Sequence, residues 1–567
     1  MDWTWASSNI ETDWSDRVRA NGISLRSGHG SGSIVPYEFM CDLAQQLSAE
    51  IWVCIPHRAT PDYREQMAQL FAANYPSGKT LWLEYGNEVW NGANPWGEGT
   101  NWITYLDFTK YTATPDTANQ CFILPNHGLA NGTRIASFAT VENRDTRITM
   151  NWRFSLGVTS YVKVLDANRF ELHDTNALNL RLNVTTGMVS LLFCDTNEVG
   201  KVAKQHINFS NLCLQAWDTF DANLGANRVK RILSSQAGNL AVTTARVAVA
   251  GVKERASCLA IAPYFDGAFF GAEVTVGADQ LQPKFWATGT STAYVNVYPI
   301  GATPSLADQI DGIGAIAHQK ASYAAGGSGW TNLSLVTGLV ADTQYRVMFL
   351  YVENGVHRRA EVVVTTSVGG SVVNAYPSIQ DQALANKLAS QVSANGIKQH
   401  AAESTLPVVC YEGGIHYHHS KPQPLVSWLD AYFESVEFAD VNRRYLLDLA
   451  ESGCKQYCHY GDSLGTNFCI ANGYTDTEDR RYKVFTGFKG KVPRSKNGAA
   501  LIIPDQVLPT VLTEPTYPHV VHTFSGPPLD YQILYGDNNA NFSMVGNQLQ
   551  LVNSTGIDWD SPGSLLL

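Results

Sequence analysis

Two glutamates stand where apolar runs end, and paired carboxyls are what acetal cleavage needs. The first is Glu88, in Leu81-Trp-Leu-Glu-Tyr-Gly-Asn-Glu-Val-Trp-Asn91, where an apolar stretch closes on an Asn-Glu pair. The second is Glu412, in Leu406-Pro-Val-Val-Cys-Tyr-Glu-Gly-Gly414, where the following glycines let the backbone turn away. Cleavage of a glycosidic bond passes through an oxocarbenium-like transition state. One carboxylic acid must protonate the leaving oxygen, and one carboxylate must attack or stabilise the anomeric carbon. The pKa of the acid is expected to be held up by the neighbouring charge and by partial burial. Asn87, beside Glu88, is suited to donate to a sugar hydroxyl and fix the ring against both carboxyls.

The elements around these residues must bring them together. Pro36–Leu47 carries Phe39, Met40, Leu43 and Leu47 at helical spacing, and Ile51–Pro56 is a short continuous apolar run of the kind a buried parallel strand shows. Tyr63–Ala73 is expected as a second helix and Leu81–Tyr85 as a second strand. The alternation resumes at Val199–Leu224 (helix), Val229–Leu233 and Cys258–Ala262 (strands). It resumes again at Gln380–Ala394 (helix), Leu406–Tyr411 (strand), Leu425–Glu437 and Asp440–Ser452 (helices) and Gln456–Tyr460 (strand). Strand–helix alternation is the pattern of an α/β fold with a parallel sheet. In a closed parallel barrel the strands' carboxyl ends converge on one mouth, so glutamates remote in sequence can face each other there.

Two stretches break the alternation. From Tyr111 to Cys194 short runs (Arg134–Phe138, Tyr161–Leu165, Phe170–Leu172, Val189–Phe193) are separated by turn signals at Asn126-His-Gly, Asn131-Gly and Asp166-Ala-Asn. Such spacing predicts a small all-β domain inserted into the α/β part. From Leu281 to Gly370 strands are expected again at Ala293–Val297, Tyr345–Val352 and Ala360–Thr365. After about Val492 the chain turns β-like, with Tyr531–Tyr535, Phe542–Val545 and Leu549–Val552 around Gly-Asn turns. The expected division is 1–110, 196–280 and 371–495 for the α/β part, 111–195 and 281–370 for the insertions, and 505–567 for a C-terminal β domain.

Composition narrows the classes. Of 567 residues only 16% are charged and 11% are aromatic, with a net charge of −11. Low charge and many aromatics exclude a disordered chain. The acidic balance, without a Lys/Arg run, argues against a nucleic-acid binder. No run reaches the ~18 apolar residues of a membrane span. The opening Met-Asp-Trp-Thr-Trp lacks the basic-then-apolar layout of a signal peptide. The ten cysteines are too scattered for a disulfide scaffold and are expected mostly as buried fillers. His416, His418 and His419 lack a carboxylate or Cys at ligand spacing, so neither a metal nor another cofactor is expected. Asp537-Asn-Asn539 and Asp558-Trp-Asp560 read as turns, with calcium the alternative. Trp90, Trp96 and Trp102 either stack on sugar rings or fill a core.

The stretch Trp82–Asn91, with Tyr-Gly-Asn-Glu-Val-Trp-Asn, resembles the fourth-strand motif of clan A glycoside hydrolases. The resemblance implies a (β/α)8 TIM barrel, a retaining mechanism and Glu88 as acid/base. Tyr411-Glu-Gly-Gly414 resembles the clan's seventh-strand segment, which implies Glu412 as nucleophile. Pro56-His57 is similar to the third-strand His, Ala262-Pro-Tyr264 to the sixth-strand Tyr, and Met1-Asp-Trp3 to the end of a second strand. On that alignment the first strand is missing. At the eighth strand, where the clan usually has a Trp platform, the sequence offers Tyr457, His459 or Tyr460. With His416 (four residues after Glu412) and Trp90 as candidates to line the mouth, the expected substrate-binding residues are Asn87, His57, Tyr264, His416, Trp90, Trp3 and Tyr460. Gly338-Leu-Val-Ala-Asp-Thr-Gln-Tyr345, just before a strand, resembles the tyrosine corner of a fibronectin type III sandwich, and the C-terminal stretch faintly resembles a cadherin-like one.

The expected protein is thus a retaining glycosidase acting on an oligo- or polysaccharide, extracellular or carried on a virion. The alternative is a catalytically degenerate, carbohydrate-binding or structural component of a phage tail or surface adhesin, since such mosaics resemble those assemblies. Other subunits of the assembly would then be its partners.

Overall fold

The computed structural model describes residues 11–17, 19, 35–92, 97–138, 159–184, 190–266, 269–287, 291–323, 331–353, 356–416, 423–458, 484, 519–523, 542–545 and 548–551. The fold is mixed α/β, with one five-stranded parallel sheet and several antiparallel sheets among helices. The chain divides into two compact units, Met1–Ala262 with Gln399–Tyr411, and Pro263–Lys398 with Glu412–Leu567. No helix among the described residues is long and apolar enough to cross a membrane.

The first unit holds the parallel sheet. Its strands, in spatial order, are Trp52–Ile55, Leu81–Tyr85, Val229–Ser234, Cys258–Ile261 and Val408–Cys410. Spatial order follows chain order, because a helix returns the chain between successive strands. Those helices include Pro61–Asn74, Gln205–Leu224 and Leu240–Val247, and the last strand follows the end of Ile379–Ser404, of which only the residues from Gln399 on belong to this unit. The first and fourth strands are buried at every position, which is why they read as unbroken apolar runs. Helix starts have local causes: the Thr60 hydroxyl accepts from the Tyr63 N–H with Pro61 following it, and Asn239 accepts from Ala241.

The long helix begins at Gln205 rather than Val199, and the preceding segment is spent on other bonds. Glu198 accepts from both the N–H and the hydroxyl of Thr109, and the Lys204 N–H donates to the Thr104 carbonyl. Ile379–Ser404 runs past the Asn395-Gly396 pair that reads as a helix breaker. Beyond that pair Ile397 and His400 are buried, and this anchoring outweighs the ~1 kcal/mol cost of an internal glycine.

Between the second and third parallel strands lies a closed six-stranded antiparallel barrel. Its strands are Tyr111–Asp116, Cys121–Ile123, Arg134–Phe138, Thr159–Asp166, Arg169–His173 and Leu191–Asp195. Phe122, Phe170 and Phe193 lie in its core. At the Asp166-Ala-Asn turn the Asp166 carboxylate accepts from the Asn168 N–H and from Arg169.

The second unit contains a two-sheet sandwich. One sheet carries Phe270–Val276, Gln280–Ala287, Thr331–Asn332, Val336–Thr337 and Ser371–Ala375. The other carries Ser291–Pro299, Ala317–Tyr323, Gln344–Glu353 and Val356–Thr365. Both contribute to one core, in which Phe270 stacks on Tyr351. The Tyr345 hydroxyl accepts from the Val340 N–H at 2.8 Å. The unit also holds Gln423–Phe433 and Val436–Glu451 as helices, and a three-stranded antiparallel sheet of His519–Thr523, Gln548–Leu551 and Phe542–Val545. No strand forms over Gln456–Cys458, where Tyr457 makes an isolated bridge, and Tyr460 lies outside the described residues.

Candidate active site

Glu88 is placed by the end of the Leu81–Tyr85 strand. The Gly86 N–H donates to the Ile55 carbonyl at 2.9 Å, one last rung of the parallel ladder. Gly86 then turns the chain with φ +65, and Glu88 itself takes φ +49. Glycine accepts this left-handed region freely, whereas glutamate seldom does, and such outliers concentrate at functional sites. Asn87 and Glu88 are buried, at 6% and 7% exposure. Both Glu88 oxygens accept: the Asn91 amide donates to Oε2 at 3.0 Å and the Tyr411 hydroxyl to Oε1 at 3.3 Å. The loop is held from behind, because Gln205 donates to the Val89 carbonyl and Thr100 to the Asn91 carbonyl.

His57 and Arg58 follow the neighbouring Trp52–Ile55 strand, and both turn to Glu98. Arg58 forms a buried ion pair with Glu98, and His57 Nε2 lies 3.6 Å from the same carboxylate. Burial alone would raise the Glu98 pKa, but the Arg58 charge and the His57 contact outweigh it and the net shift is downward. The Arg58 guanidinium also lies over the Trp102 ring at 4.2 Å. Trp102 thus packs among cations and Phe138. Trp90 is half-buried, and its indole N–H is shielded from solvent without an acceptor among the described residues.

Glu412, in the second unit, follows the Val408–Cys410 strand by two residues and is partly buried. The Tyr264 hydroxyl donates to its Oε2 at 2.9 Å. Such a donor favours the ionised carboxylate and fixes its orientation. The segments that pair as Cys258–Ile261 with Val408–Cys410 pair again as Phe265–Asp266 with Ile415–His416. Along the chain, Tyr264 and Glu412 shortly precede the paired segments Phe265–Asp266 and Ile415–His416 and belong to neither strand. Gly414, with φ +122, makes the return, and its carbonyl accepts from the Phe265 N–H.

Sequence reasoning passed over Arg58, Glu98 and Tyr411 as site residues, and noted Asn91 only as the end of a motif. Arg58 and Tyr411 each adjoin a residue that was singled out, and Asn91 is three positions from Glu88. For Glu98 no local signal exists. His416 is described as a strand residue paired with Asp266. Trp3, Tyr460, Trp96, His418, His419 and the two Asp-rich turns lie outside the described residues. Among the described residues no group of three or more His, Cys, Asp or Glu is arranged to hold a metal ion. The described cysteines are free thiols, most of them buried. No protein-family model and no curated protein matches the sequence.

Proposed function

We propose that the protein is a retaining glycoside hydrolase acting on an oligo- or polysaccharide, with Glu88 as acid/base and Glu412 as nucleophile on a (β/α)8 scaffold. One observation carries the reading. Each glutamate lies just past the carboxyl end of a strand of the same parallel sheet, and each carboxylate accepts a tyrosine hydroxyl. The Tyr411 that donates to Glu88 immediately precedes Glu412 in the chain.

In the first step Glu88 gives its proton to the glycosidic oxygen while the Glu412 carboxylate attacks the anomeric carbon. The C–O bond to the leaving sugar breaks and a glycosyl ester forms. In the second step Glu88, now a carboxylate, takes a proton from water as the water attacks the same carbon. The ester bond breaks and Glu412 is released as a carboxylate. This chemistry calls for carboxyls about 5–5.5 Å apart. The Tyr264 donor would be shared out again as charge leaves Glu412 in the first transition state. The sandwich then reads as a fibronectin type III-like module, which the Tyr345 corner bond supports.

The test is a panel of 2-deoxy-2-fluoroglycosides read by intact mass. The parent protein is expected to gain one glycosyl unit, and Glu412→Gln none. Glu88→Gln is expected to keep slow labelling from substrates with good leaving groups, since only the proton is missing. A parent that binds glycans but takes no label and cleaves nothing would be a carbohydrate-binding component instead.

A further inference from the structure

The Tyr264–Glu412 hydrogen bond is held from outside by two helices, and the geometry is specific enough to assign roles. Tyr264 follows Pro263, whose ring fixes φ and which has no N–H to bond. The Pro263 carbonyl accepts two donors. The Tyr445 hydroxyl, from the Val436–Glu451 helix, reaches it at 2.7 Å, and the Ser393 hydroxyl, from the Ile379–Ser404 helix, at 2.6 Å. Two donors use both lone pairs of that oxygen. Ser393 shares its single proton with the Tyr264 carbonyl at 3.0 Å. The residue that carries the donor to Glu412 is therefore clamped at its own carbonyl and at the one before it.

Tyr445 also touches the other partner's segment. A Cβ built on Gly413 would fall 2.7 Å from the Tyr445 hydroxyl and 2.6 Å from Tyr457 Cε2. Only a residue without a side chain passes there, so the backbone next to Glu412 lies directly against the group that holds Pro263. The Tyr445 ring is itself fixed, fully buried, 4.9 Å from Phe265 and 5.7 Å from Tyr457 between centroids. One phenol thus gauges the spacing of both segments.

We propose that Tyr445 is a positioning residue for Glu412, setting the Tyr264–Glu412 register by bonding the Pro263 carbonyl while abutting Gly413, with Ser393 as its accessory. The catalytic consequence rests on the reading of Glu412 as nucleophile, whereas the positional claim does not. Tyr445→Phe keeps the ring and deletes the bond.

In crystal structures of the parent and of Tyr445→Phe, the Tyr264 Oη to Glu412 Oε2 separation is expected to lengthen from 2.9 Å to beyond roughly 3.5 Å in the variant. On any glycoside the parent cleaves, kcat is expected to fall about tenfold or more with KM changed less than about twofold. Tyr432→Phe is the control, because it deletes an equally buried tyrosyl bond of the same unit, to Asn386 at 2.5 Å. It is expected to leave both readouts alone. An unchanged separation in Tyr445→Phe overturns the proposal, and so does an equal loss of kcat in Tyr432→Phe. If the parent labels and cleaves nothing, the nucleophile reading fails on its own, and the separation still decides whether Tyr445 sets the register.

Discussion

Glu88 sits in a backbone conformation that its own side chain disfavours, and the residues around it show what keeps it there. Its carbonyl accepts from the Asn91 N–H at 2.7 Å, both carboxylate oxygens accept donors, and Val89 beside it is fully buried. Gly86 is the tightest point of the turn. A Cβ there would meet Val89 Cγ1 at 2.5 Å, at a φ of +65 that already strains an L side chain. Gly86→Ala should therefore cost about 1–3 kcal/mol in urea unfolding. Any glycosidase activity should fall further than that loss explains, because Val89 cannot yield without moving Glu88. Unaltered unfolding would mean that the turn is looser than its contacts indicate. That Glu88 and Glu412 follow strand ends was legible in the sequence, because each closes an apolar run inside a short motif. The partners of Glu88 were only partly so: Asn91 is a neighbour, but the Tyr411 contact joins positions far apart, and no local pattern encodes it.

Helices of the first unit carry a pH dependence of their own. His400, at the end of Ile379–Ser404, receives the Thr243 hydroxyl on Nδ1 at 2.8 Å and lies 3.0 Å from the Ala237 carbonyl through Nε2. Thr243 in turn bonds Ser235 at 2.6 Å. Burial lowers the His400 pKa, partly offset by the Ala237 bond. His206, in the Gln205–Leu224 helix, is lowered from 6.5 to about 4 by burial and by the Arg246 charge. Both imidazoles are neutral in the fold, while the unfolded chain protonates them below about 6.5. Their contribution is full above that pH and is lost as the pH falls toward about 4, the folded value for His206. The urea midpoint of the parent is expected to drop between pH 7 and pH 5, above the range where most carboxylates titrate. His206→Gln, which cannot titrate, should show a shallower drop, and a parallel drop would place the titration elsewhere. At this scale helices and strands were largely readable, since periodicity is local. Misplaced ends arose where distant contacts intervened: Glu198 with Thr109 delays one helix, and buried Ile397 and His400 prolong another.

At the scale of the whole chain, the α/β part is interrupted by modules with cores of their own. The six-stranded barrel enters and leaves at adjacent points. Tyr111 pairs with Phe193, Thr109 bonds Glu198, and Lys201 reaches the Thr109 hydroxyl at 3.1 Å. Neighbouring termini and a private core are what an insertion needs to fold as a unit. A fragment spanning Thr109–Glu198 is expected to unfold cooperatively in urea with a β-type circular dichroism spectrum. A spectrum of unfolded chain would show that the barrel depends on its host. Its attachment is not trivial, because Arg58 lies 5.9 Å from the Phe138 ring as well as pairing with Glu98. Removing that guanidinium in Arg58→Ala would leave the Glu98 carboxylate buried without its cation, a loss on the order of 3–5 kcal/mol readable in the same unfolding assay.

From the residues alone came the types of most helices and strands of the α/β part, and two glutamates that close apolar runs. Each depends on side chains within a few positions of one another, where periodicity, turn chemistry and short motifs act. Tertiary structure decided the remainder: five parallel strands in chain order, a six-stranded closed barrel, and the donors that reach Glu88 and Glu412. A carboxylate's partner is set by which backbone segments pack beside it, and segments hundreds of residues apart meet only when the sheet has formed.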